Sequence, residues 1–141
     1  MLVTTESMSA IFTKYYFQLG KFPITLHHFT APDASDPHDH PYGFTATVIA
    51  GGYMEERWHS SSRGWGYEMY RRHAGDTFTV AATDIHRIVE LSEGECVTAI
   101  RWHDEVPRRE SKVWQFTNGK AQWRFWWSEE WQDAATSYCG V

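Results

Sequence analysis

The stretch Pro37-His38-Asp39-His40-Pro41-Tyr42-Gly43-Phe44 decides how this chain is read. It follows a polar loop, residues 32–37, and leads into an apolar run, residues 44–50. Residues i and i+2 of a strand point to the same face, so His38 and His40 can offer both imidazoles to one ion. A third histidine, His86, lies in a second β-like run, residues 76–91. Two histidines on one strand and a third on another suit a divalent transition metal.

Outward from this stretch, the pattern is mostly β. Residues 24–29 read as a strand. Residues 43–50 alternate Thr45, Thr47 and Ile49 against Phe44, Ala46 and Val48. Gly51-Gly52 is a turn signal before a strand at 53–59. The loop 60–64 leads to a returning strand at 65–73. Further strands are expected at 77–80, 85–91 and 96–102, with a turn at Ser92-Glu93-Gly94-Glu95. A polar loop, 103–112, carries Pro107. The Asn118-Gly119 turn joins strands 113–117 and 121–127 into a closing hairpin. Many short strands at regular spacing indicate a sandwich or barrel. One segment reads otherwise. Across residues 7–19, Ile11, Tyr15 and Leu19 recur at i, i+4 and i+8, an apolar helical stripe that Gly20 would stop. The expected organisation is one domain over 1–141: a short N-terminal helix within 1–20, an all-β barrel over 24–127, and a tail over 128–141.

The histidine pattern resembles the cupin superfamily, whose fold is a double-stranded β-helix or jelly-roll barrel. His38-Asp39-His40, followed by Gly51 and Gly52 at the two offsets of the motif's closing glycine, resembles the first cupin motif. Gly75 and His86, with 10 residues between them, resemble the second. The matched region runs from about His38 to His86. The departures are as specific. The motif Glu falls at Phe44 or Thr45, Pro32 stands for the opening Gly, and Ala81 and Thr83 replace the motif Pro and Gly. The run from His38 to Phe44, with Pro107-Arg108-Arg109 and Trp114-Gln115-Phe116, is similar to a group of small uncharacterised cupins of bacteria and phages. An Asp in that group is Gly43 here.

Without the motif Glu, a set of His38, His40 and His86 remains, which resembles the thiol dioxygenases. The resemblance implies ferrous iron as the cofactor; nickel, zinc and manganese are also compatible with imidazole donors. Three neutral ligands leave the full charge of the metal, which an anionic substrate then neutralises. Arg57, Arg71, Arg87 and Arg101 are candidates to clamp a substrate carboxylate. Tyr42 and Tyr53 are candidate hydroxyl donors near the site. Of these, Tyr42 and Arg101 are assigned catalytic roles, and Arg57, Arg71 and Tyr53 substrate contacts. Either His27 or His28 must face the interior, and His28 is assigned to support the ligands. Asp39 points away from its neighbours and anchors the loop. Glu55, Glu56 and Glu68 read first as a solvated strand face, and otherwise as carboxylates that could reach the site.

The 141 residues include 8 Trp, 7 Tyr and 8 Phe, much aromatic surface for a core, a pocket or a homodimer interface. A net charge of -5 gives no case for a nucleic-acid partner. No signal-like or membrane-spanning apolar run is present, and Cys96 and Cys139 read as free thiols, so a cytoplasmic protein without a membrane partner is expected. Three functional readings follow. The preferred one is a metal-dependent, cysteine-dioxygenase-like oxidoreductase acting on a small-molecule anion. The others are a non-catalytic small-molecule-binding or sensor cupin, and a metal-independent sugar-nucleotide epimerase or isomerase using a His-Asp dyad.

Overall fold

The computed structural model describes residues 3–19, 22–33, 36–103 and 109–134. Among the described residues ten strands follow in order: β1 (Val3–Ser9), β2 (Phe12–Leu19), β3 (Phe22–Phe29), β4 (Phe44–Ser61), β5 (Gly64–His73), β6 (Thr77–Val80), β7 (Ile85–Trp102), β8 (Lys112–Thr117), β9 (Lys120–Phe125) and β10 (Gln132–Asp133). The larger sheet has the order β1-β2-β3-β7-β4-β5, with β6 on the other edge of β4's first half; β10-β9-β8 form the smaller sheet. Every pairing is antiparallel. Gly20, Pro107, Arg108 and Cys139 lie outside the described residues.

The expected N-terminal helix is absent; no helix occurs among the described residues. Residues 3–19 form the β1–β2 hairpin instead, and β2 extends the sheet along β3. The apolar stripe was a weak guide because Phe12, Tyr15, Tyr16 and Phe17 crowd into one short segment. Aromatic residues favour the pleated surface. In strand register, Phe12 and Tyr16 share one face with Lys14 between them.

β4 and β7 carry the architecture. Each is 18 residues long, and they pair along their lengths. The expected turns at Gly51-Gly52 and at Ser92–Glu95 are bends inside these strands, not reversals. At the β4 bend, the buried positions change parity. Phe44, Ala46 and Val48 are buried before it, Tyr53 and Glu55 after it. The register slips at Val48/Ala50 and Gly51/Tyr53, as β-bulges require. Gly51 has φ +77, and a Cβ there would meet the Glu95 carbonyl on β7. The two strands can therefore approach at their shared bend only with glycine at this position.

Phe44, Ala46, Val80 and Ile100 form one core cluster, and Val48, Tyr53 and Cys96 another. The third unites the two sheets: Ile85 packs with Trp114 and Ala121, and Trp58 stacks on Phe116 at 3.9 Å. The Asn118-Gly119 turn has positive φ at both residues, 52 and 76, as a tight hairpin needs. β10 adds two tail residues to the small sheet.

Candidate metal centre

The segment from Pro37 to His40 has no strand of its own; it is zipped between β7 and β8. His38 and His86 exchange backbone hydrogen bonds at 2.9 and 3.0 Å. Asp39 N–H donates to the Lys112 carbonyl, Trp114 N–H to that of Pro37, and His40 N–H to that of Ala82. This extended backbone puts His38 and His40 on one side and Asp39 on the other. Asp39 is buried and accepts hydrogen bonds from Lys112 N (2.6 Å) and Trp114 Nε1 (3.2 Å), with Arg109 Nη1 at 3.1 Å. Arg109 also donates to the carbonyls of His40 and Ala82. Asp39 thus fixes the histidine segment to β8 and to Arg109 rather than reaching the histidine cluster.

The three imidazoles converge. Ring centroids lie 5.0 Å apart for His38–His40, 5.2 Å for His38–His86 and 4.9 Å for His40–His86. One nitrogen from each can be chosen so that all lie within 4.8 Å of one another. His40 Nε2 and His86 Nε2 are 3.4 Å apart. Two nitrogens bound to one ion at about 2.0–2.1 Å, with angles of about 90–110°, stand roughly 2.9–3.4 Å apart. The His40–His86 pair therefore already has the span of two donors on one metal.

The protonation states fit as well. Burial foremost, then the neighbouring His86, brings His38 down to a pKa of about 4. Burial and the adjacent histidines hold His40 well below its ordinary value. His86 Nδ1 lies 2.5 Å from Glu55 Oε2. With the ring proton on Nδ1, facing that carboxylate, the Nε2 lone pair would be left for the cluster. His40 Nδ1 is buried without a hydrogen-bond partner, so only Nε2 joins the polar cluster. Neutral imidazoles with free lone pairs are what a transition metal binds.

For Glu55 the second of the two sequence readings, a carboxylate that reaches the site, is the one the structure supports. Far from lying on a solvated face, its side chain is fully buried. Oε1 accepts from Arg57 Nε (3.1 Å), Arg72 Nε (3.1 Å) and Arg72 Nη2 (2.7 Å), and Oε2 faces His86. Burial opposes its charge, yet His86 and the two guanidiniums outweigh that and hold the carboxyl below the ordinary range. Glu56 is also buried, accepting from Trp58 and Arg87. The missed signal was alternation: Glu55 and Arg57 share a strand face, and the Arg57 position pairs with His86 in the β4–β7 register.

A cavity of about 840 Å³ opens beside the three histidines. Tyr42 and Tyr53 both line it, and burial holds the Tyr53 hydroxyl well above its ordinary pKa. Arg87 and Asp39 line it as well, Arg87 paired with Glu56, whereas Arg57, Arg71, Arg101 and His28 do not. Arg57 is committed to Glu55, with Asp84 at 3.8 Å. Arg71 is exposed and bonds Ser92. Arg101 is exposed, because Ile100 and not its neighbour takes the inward position. His28 turns outward to Glu95 at 2.6 Å, while His27 lines the cavity. Burial, then Lys14, lowers the His27 pKa to about 3.

No protein-family model matches the sequence, and no curated protein matches it. Solved structures do match, cupin-fold proteins among them: the chain has the cupin fold. The capsular polysaccharide assembling protein CapF from Staphylococcus aureus superposes with a TM-score of 0.56 at 12% identity, over 77% of this chain and 31% of CapF. Hydroxypropylphosphonic acid epoxidase from S. wedmorenis gives 0.52 at 9%, over 70% of this chain and 55% of the epoxidase. An oxalate oxidase gives 0.49 at 19%, over 60% of this chain and 43% of the oxidase. The chain thus spans between a third and about half of these proteins' lengths. Among the described residues, no helix is long and apolar enough to cross a membrane.

Proposed function

We propose that this chain is a metal-dependent oxidoreductase, a ferrous oxygenase acting on a small organic anion, with His38, His40 and His86 as the ligands. The observation that carries the reading is the cluster itself: three histidines, with His38 and His40 held neutral by burial, on rigidly paired backbone beside a cavity large enough for a small molecule. A ferrous ion held there would supply redox chemistry toward dioxygen and open positions for an anionic ligand. The protein's own part is separable. Glu55 orients the His86 ring, and Asp39 and Arg109 fix the His38–His40 segment. Tyr42 and Tyr53, which line the cavity, would donate hydrogen bonds to a bound substrate in this reading. The fold is shared with an epoxidase named for a small phosphonic acid, which supports an anionic substrate.

The test is oxygen consumption by protein reconstituted anaerobically with ferrous salt, screened against small thiols and carboxylates. Uptake that needs both iron and one substrate supports the reading. Stoichiometric iron binding with no uptake across the panel, but a melting shift with a ligand, points instead to a binding protein.

A further inference from the structure

The arginines expected to hold the substrate are occupied or turned away. Among the described residues, two further cations line the cavity, Arg87 and Lys14, and Lys14 comes from the segment whose structure the sequence misrepresented. Lys14 lies on β2 directly opposite His27 of β3, and His27 lies opposite the buried Thr98 of β7. Directly paired residues of an antiparallel sheet share a face, so Lys14, His27 and Thr98 form one row, and all three line the cavity.

Lys14 has no ion pair or hydrogen bond among the described residues. Its ammonium lies 5.8 Å from the Phe12 ring centroid. Burial lowers its pKa, and the cross-strand Glu6 pulls the other way without closing to an ion pair. The other cations near the cavity are already matched. Arg87 donates to Glu56 at 2.7 Å, and Arg109 is held by Asp39. A half-buried ammonium against aromatic carbon gives up hydration, and an anion entering the cavity would give it a counter-charge closer than Glu6, although Asp33 also lines the cavity. A lone ammonium is a point charge without the fork of an arginine, so it matches a single carboxylate better than a bidentate dianion.

We propose that Lys14 is the counter-charge for the substrate: the cavity takes a small monocarboxylate with an apolar body, its carboxylate on Lys14, its body along Phe12, Phe29 and Trp102, and its other end toward the three histidines. Only the last part rests on the function proposed above.

The experiment uses the purified full chain and two probes, 3-phenylpropanoate and its neutral amide, titrated by tryptophan fluorescence. Metal content is measured on the same samples. The wild-type protein is expected to favour the carboxylate by about tenfold or more, as a charged hydrogen bond provides. Lys14→Met should remove the preference, Lys14→Arg should keep most of it, and neither should change the metal content. A wild-type protein that shows no preference, or a Lys14→Met variant that keeps it, overturns the proposal. If the preference depends on Lys14 but no variant or wild-type sample binds metal, the carboxylate site stands and the metal reading falls. The reverse pattern, metal bound and no role for Lys14, leaves the metal reading standing and removes this one.

Discussion

His86 faces Glu55 with one ring nitrogen, Nδ1 to Oε2 at 2.5 Å, and His40 with the other, Nε2 to Nε2 at 3.4 Å. A single side chain thereby joins the buried charge network of β4 and β5 to the histidine cluster. Changes on either side of it should be felt on the other.

Replacing Glu55 tests that link. Glu55→Gln keeps the volume but cannot hold the His86 proton in the same way, and metal affinity should fall about 10–100-fold. Glu55→Ala leaves the guanidiniums of Arg57 and Arg72 buried without their carboxylate and should cost about 3–5 kcal/mol in chemical unfolding. A loss below about 1 kcal/mol would mean the network is not a buried one.

Asp39 should matter to the site more than its distance from the histidine cluster implies. Asp39→Asn converts a carboxylate that serves the Lys112 amide, Trp114 and Arg109 into an amide that cannot accept from all three. About 1–3 kcal/mol of stability should be lost, and metal binding should weaken as the His38–His40 segment loosens. Unchanged affinity measured by competition with a chelator would contradict the anchoring role.

Gly51 is predicted to resist substitution. In Gly51→Ala a left-handed backbone must carry a side chain that falls on the Glu95 carbonyl. The cost should exceed about 1 kcal/mol, with β4 and β7 displaced at their common bend. A melting temperature equal to wild type would show that the bend tolerates a Cβ.

Cys96 is buried, and burial pushes its thiol up to about 11. At pH 8 only roughly one thiol in a thousand is then ionised, so alkylation in the native state should be very slow. The raised value also means that the neutral thiol favours folding. That contribution is intact below the ordinary thiol range and declines as the pH rises toward 11. Peptide mapping after a timed iodoacetamide pulse checks this; rapid labelling of Cys96 in folded protein would contradict it.

The histidines were legible in the sequence because ligand geometry is local: an i, i+2 pair on extended backbone needs only one partner strand. Much of the β pattern was legible too, since alternation and the Asn118-Gly119 turn are short-range signals. The N-terminal hairpin was not. Its aromatic spacing satisfies a helical and a strand period alike, and the partner that decides, β3, follows it in the chain. Gly51-Gly52 and Ser92–Glu95 read as reversals in the sequence because glycine marks a sharp bend and a chain reversal alike. The arginines were misplaced for a related reason. Which face Arg57, Arg71 and Arg101 occupy depends on the bulges in β4 and β7, and each bulge inverts the alternation beyond it. Lys14 was invisible while its segment was read as a helix outside the barrel.

The measurement that bears most directly on the account is elemental analysis of protein purified without chelator or affinity-tag metal, beside a His40→Ala control. The account predicts about one transition-metal ion per chain in the wild-type protein and almost none in the variant. Full occupancy in His40→Ala would contradict the ligand assignment. No metal in either sample, with melting unchanged by added ferrous iron or nickel, would contradict the metal centre itself.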